Sequence, residues 1–114
     1  MHLDSDNLAM LKTVIGAEVV TLLNVYLDTA PDNLTKLLDA IEQQNFSEIE
    51  LQSHTLKGSA ANVGAPDLAE LCSQLYNDAK TQTVTTMTAQ AEAIKAEAQI
   101  VADLMQNYIT NFTD

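Results

Sequence analysis

Met87, Ala91, Ile94, Ala98, Val101, Met105, Tyr108 and Phe112 follow one another at alternating intervals of four and three residues. No other feature of the chain constrains its fold so tightly, because that spacing draws one apolar stripe along a helix of about 26 residues. A lone helix cannot bury such a stripe. The stripe must meet a second copy of itself, as in a coiled coil, or helices of its own chain, as in a bundle. Other amphipathic segments lie upstream, so the chain is expected to close the bundle from within.

The upstream segments follow in order. Asp4-Ser5-Asp6 offers capping side chains for a short first helix, Asn7 to Val14, ended by Gly16. Ala17 to Ala30 is a second helix, whose apolar residues spread over roughly 160° of the wheel, wider than the usual core stripe of about 100°. Either it is buried between two neighbours, or Val20 and Leu27 help form a docking surface. Pro31 breaks the hydrogen-bond ladder, and Asp32 opens a further helix carrying Leu34, Leu37, Leu38 and Ile41 toward Gln44. After a turn at Asn45-Phe46, Ser47-Glu48-Ile49-Glu50 fits a capping box for a helix to about Val63. Gly64 stops it. Pro66 then starts a helix to about Lys80 with Leu68, Leu71, Cys72, Leu75 and Ala79 on one face, and Thr81 to Thr86 connects to the final helix.

Composition supports this class. The 114 residues are 46% hydrophobic with three glycines and two prolines, which favours an all-α antiparallel four-helix bundle with a short additional N-terminal helix. The length suits one domain, residues 1–114. A net charge of −11, carried with five lysines and no arginine, argues against a nucleic-acid or anionic-membrane partner. Cys72 is the sole cysteine, so it forms no intrachain disulfide and reads as a small core residue. No apolar run reaches about 18 residues, and Met1-His2-Leu3-Asp4 lacks the basic start of a signal peptide. A cytoplasmic monomer is expected. An initiating Met1 with a helix almost at once favours a stand-alone protein over the excised end of a hybrid kinase.

The chemistry points to one helix. In Ser47–Val63 the residues Ile49, Leu56, Ala60 and Val63 fall within roughly 60° of arc, and His54 lies nearly opposite them. His54 therefore faces water. Lys57 at i+3, Gly58 at i+4, Ala61 at i+7, and Glu50 and Leu51 one turn earlier share its side. A mid-helix glycine costs about 1 kcal/mol relative to alanine, so Gly58 beside an exposed histidine needs a reason, and close approach of another surface supplies one. Leu51 and Ala61 are candidate contact residues for that surface.

His54-Thr55-Leu56-Lys57-Gly58-Ser59-Ala60-Ala61-Asn62-Val63-Gly64-Ala65, followed by Leu68 and Leu71-Cys72, resembles the signature of histidine phosphotransfer (HPt) domains. Tyr26-Leu27 and Pro31 are similar to the family's aromatic-aliphatic pair and helix-breaking position. The resemblance implies a phosphocarrier with no kinase activity of its own. Carried over by position, His54 matches the phosphorylated histidine, Lys57 the lysine that holds the phosphoryl group, and Gly58 the small position that lets a receiver domain approach. It also implies that the partners are receiver domains of response regulators or hybrid kinases, whose aspartate exchanges phosphate with His54 and which bring Mg²⁺. No cofactor or metal of the chain's own is expected.

A neutral imidazole keeps a ring lone pair able to take a phosphoryl group, and the Lys57 ammonium attracts that group's oxygens. Glu50 serves either as the carboxylate of the cap or as acceptor for the other ring nitrogen. A sensor kinase is disfavoured because Thr55 rather than an acidic residue follows His54 and no glycine-rich phosphate loop is present. A metal site is disfavoured because His2 and His54 are not expected to converge. The alternative from another class is a non-phosphorylated helical adaptor that binds a signalling partner through the same surface.

Overall fold

The computed structural model describes residues 1–113, and within them the chain is all-helical: α1 (Ser5–Ile15), α2 (Glu18–Glu42), α3 (Phe46–Asn62), α4 (Pro66–Lys80) and α5 (Met87–Thr110). Helix contacts close a ring, with α2 on α3, α3 on α4, α4 on α5 and α5 back on α2, while α1 lies against α2. Along α5, Met87, Ile94, Val101 and Met105 are buried and Ala91, Ala98 and Tyr108 partly so, as the spacing predicts. They meet Val19, Leu23 and Leu37 of α2, Ile49 and Leu56 of α3, and Leu68, Cys72 and Leu75 of α4 in one core. Burying each large apolar side chain contributes about 1.5–3 kcal/mol, which is what orders helices of modest intrinsic propensity. No helix among the described residues is long and apolar enough to cross a membrane.

Pro31 does not end a helix. It sits exposed within α2, which runs unbroken from Glu18 to Glu42. An interior proline costs about 3 kcal/mol by deleting one ladder hydrogen bond and crowding the preceding turn. Here the apolar stripe continues across it, with Tyr26 and Ala30 buried on one side and Leu37 and Ala40 on the other. Asn33 adds a polar lock by donating through Nδ2 to Gln52 Oε1 of α3. Burial on both sides of the proline outweighs the lost bond.

The capping box at Ser47 is also corrected. Asn45 is the N-cap of α3: its Oδ1 accepts from the Glu48 N–H at 3.3 Å and from Ser47 Oγ at 3.2 Å. The cause lies one residue earlier. Gln44 takes a left-handed backbone at φ 51°, which turns the chain sharply and lets the Asn45 N–H donate to Ala40 O at 2.9 Å. The chain therefore leaves the turn at Asn45. Helices α3 and α4 end the same way, with Gly64 at φ 75° and Gln82 at φ 54°, and the next N–H, of Ala65 and Thr83, returning to Ala60 O and Asp78 O at 2.9 Å.

Asp4 caps α1 by accepting from the Asp6 and Asn7 N–H groups at 3.0 and 3.2 Å. The residues before it form a strap over the α3–α4 turn. The Asp4 N–H donates to Gly64 O at 2.7 Å, the Asp67 N–H to Met1 O at 3.3 Å, and the Met1 amino group pairs with the Asp67 carboxylate. His2 reaches farther, to Glu97 of α5.

Candidate functional site

The rotation of α3 about its axis decides what it shows to solvent, and buried polar groups help set that rotation. Gln52, 9% exposed, donates to Glu48 Oε1 at 2.8 Å and accepts from Asn33 of α2, while Ser53 Oγ donates back to Ile49 O at 2.6 Å. Of these only the Asn33–Gln52 bond crosses to another helix, so turning α3 would break that bond, at about 1–3 kcal/mol for a buried group left without its partner, and would lift the apolar face out of the core. With Ile49, Leu56, Ala60 and Val63 buried, His54 stands on the exposed face, together with Lys57, Gly58, Ala61 and a 56% exposed Leu51. The residues expected to share the exposed face of α3 do share it.

Gly58 has open space around it. A Cβ at this position would meet nothing within 4 Å, so nothing among the described residues excludes an alanine. Lys57 borders a shallow polar notch lined also by Asn7, Ala61, Ala69, Glu70 and Ser73. Thr55 Oγ1 and Ser59 Oγ are spent on the helix, donating to Leu51 O at 2.9 Å and Thr55 O at 3.2 Å. Among the described residues no hydrogen bond joins Glu50 to His54, and Glu50 does not cap the helix.

The neighbour of the His54 ring is Tyr76 of α4, with centroids 5.6 Å apart and planes inclined by 41°. Lys80 Nζ lies 4.5 Å from the centroid of the same tyrosine ring. Sequence reasoning missed both. The available signal was an aromatic flanking the Leu68–Ala79 stripe, but only the packing of α4 along α3 brings it to His54.

Val20 and Leu27 lie on α2. Both are half-buried and pack against the core. Leu27 lines a cleft between α2 and α5 with Lys95, Ala98 and Leu56, and Leu56 belongs to the buried face of α3 opposite His54. The wide stripe on α2 fits its packing on α1, α3 and α5 at once. Apolar residues that are exposed, Met10 and Val14 on α1 and Val25 on α2, were not anticipated.

His2 does not approach the α3 site, yet it meets two carboxylates. Ligating atoms of His2, Asp67 and Glu97 lie within 4.8 Å of one another. Both carboxylates are already paired, Glu97 with the imidazole and Asp67 with the Met1 amino group. Cys72 and Tyr26 are the groups whose protonation the fold shifts. Burial pushes the Cys72 thiol up to about 12, and burial together with the neighbouring Cys72 pushes Tyr26 up to about 12. A thiol held protonated in the core is no nucleophile.

Three comparisons bear on this geometry. The family model described as "Hpt domain" matches residues 21–109. The crystal structure of histidine-containing phosphotransfer protein B (HptB) from Pseudomonas aeruginosa PAO1 is similar with a TM-score of 0.91 and 27% identity, covering 98% of this chain and 97% of that one. Among curated proteins no match was found.

Proposed function

Because the chain belongs to the Hpt domain family, whose role is histidine phosphotransfer in a phosphorelay, we propose that His54 is its phosphoryl carrier. The observation that carries this reading is an exposed histidine at the centre of a helix whose opposite face is buried in the core and tied to α2 through Gln52 and Asn33. Lys57 stands one turn on, and Gly58 leaves open space beside it.

The acyl phosphate of a receiver aspartate presents phosphorus to a neutral His54 nitrogen. The N–P bond forms as the P–O bond to the aspartate breaks, and the carboxylate leaves as an anion. Lys57 attracts the phosphoryl oxygens, and Gly58 lets the receiver's loops come close. Leu51 and Ala61 supply apolar contact. Mg²⁺ comes with the receiver. The HPt side contributes a nucleophile held in place, which fits a reaction whose barrier depends on near in-line alignment. In the same reading the chain is one monomeric domain in the cytoplasm, and its ring of helix contacts is an antiparallel four-helix bundle. It carries phosphate without turning over a small substrate.

The test is transfer from a phosphorylated receiver in Mg²⁺, with wild type and His54→Gln side by side. Label on the wild type alone supports the reading. A wild type that binds the receiver yet never gains phosphate, matched by His54→Gln, supports the adaptor instead. Lys57→Ala should weaken transfer or retention without abolishing it.

A further inference from the structure

An imidazole on an exposed helix face samples several χ1 wells and a broad χ2, so an unsupported His54 would present its lone pair in many directions. Tyr76 limits that freedom. Its ring stands against the imidazole at 5.6 Å and 41°, inside the range of about 4.5–7 Å where tilted aromatic pairs attract. The tyrosine is itself held. Lys80, one turn farther along α4, places its ammonium 4.5 Å from the ring centroid, within the reach of about 6 Å of a cation–π contact. Helix α4 packs along α3 through the buried Leu68, Cys72 and Leu75, so the brace stands on a rigid support.

We propose that Tyr76, steadied by Lys80, is a positioning residue that fixes the His54 imidazole for phosphoryl transfer. The proposal rests on His54 being the carrier. It holds the ring responsible, not the phenol. The imidazole is flanked by the tilted Tyr76 ring, and its attacking nitrogen is kept within a narrower range of directions, which lowers the entropic part of the barrier.

The experiment compares wild type, Tyr76→Leu, Tyr76→Phe, Lys80→Met and His54→Gln in single-turnover transfer from a phosphorylated receiver, over a range of receiver concentrations. Tyr76→Leu should lower the saturating rate constant by about tenfold and leave the half-saturating concentration within about twofold, because orientation is lost and docking is not. Tyr76→Phe should restore the rate, and Lys80→Met should fall between. In NMR spectra the His54 ring protons should carry a ring-current shift that Tyr76→Leu removes and Tyr76→Phe keeps. Equal rates for Tyr76→Leu and wild type would overturn the proposal, as would a Phe variant as slow as Leu, or a loss expressed only in half-saturation. A wild type that takes no phosphate would instead sink the carrier reading beneath it.

Discussion

His2 Nδ1 lies 2.6 Å from Oε2 of Glu97, a residue only 8% exposed on the otherwise apolar stripe of α5. With the carboxylate ionised, Nδ1 carries the proton and donates it. Taking His2 away leaves a nearly buried carboxylate without a partner. His2→Ala should therefore lower stability by about 1–2 kcal/mol, less than a fully buried pair would lose because the imidazole is half exposed. Adding Glu97→Leu to that variant should recover most of the loss, and a double-mutant cycle in urea measures the coupling. Additive effects of the two substitutions would show that the pair is idle.

Four helices end in a residue of positive φ, Gly16, Gln44, Gly64 and Gln82, and two of the four are not glycine. Gln44→Gly and Gln82→Gly should each raise stability, by up to about 1 kcal/mol, because glycine adopts positive φ without the Cβ clash. Gly64→Ala should cost more than either gains. Its backbone is left-handed as well, and an added Cβ would stand 2.6 Å from Asn7 Nδ2. Thermal denaturation of the three variants checks the ordering.

Gly58 should separate stability from function. Since its Cβ position is open, Gly58→Ala should stabilise the protein by up to about 1 kcal/mol, and Gly58→Leu should fold normally. On the proposed reading both should slow transfer, leucine the more, because the side chain would stand in the space assigned to the receiver's approach. A leucine variant that transfers at the wild-type rate would contradict the close-approach argument.

Alkaline pH should find Cys72 and Tyr26. Their ordinary values are 9.0 and 10.0, and burial raises both to about 12 in the folded chain. The folded state therefore holds these protons more tightly than the unfolded one, so their contribution to stability is full below about pH 9 and drains away toward pH 12. Urea midpoints should fall over that window, and Tyr26→Phe and Cys72→Ala should each flatten the decline. A slope unchanged by either would show that neither group is responsible. The same burial should leave Cys72 unreactive toward thiol reagents until the protein unfolds.

What could be read from the sequence was what rests on local signals. Pro66 starts α4 and Lys80 ends it as expected. The four-three spacing from Met87 marks a helix that runs to Thr110. Exposure of His54, Lys57 and Gly58 followed from the burial of Leu56 and Ala60 on the opposite face. Features that depend on a distant partner were not legible. Pro31 signals a break by local rules, and only packing along both halves of α2 overrides it. Asn45 became the cap because Gln44 adopted a conformation its residue type does not advertise. Glu97 looks like a solvated charge until His2, 95 residues away in sequence, closes over it. Tyr76 gains its meaning only from the alignment of α4 with α3.

The chain has two histidines, His2 and His54, and they occupy opposed chemical situations. His2 is engaged by a carboxylate, whereas His54 is exposed beside a lysine and a glycine. The most direct test of the account is therefore to locate the phosphate. After transfer from a phosphorylated receiver, mass spectrometry at alkaline pH should find acid-labile phosphate on the peptide containing His54 and none on the peptide containing His2. Phosphate on His2, or on a residue whose ester survives acid, would contradict it.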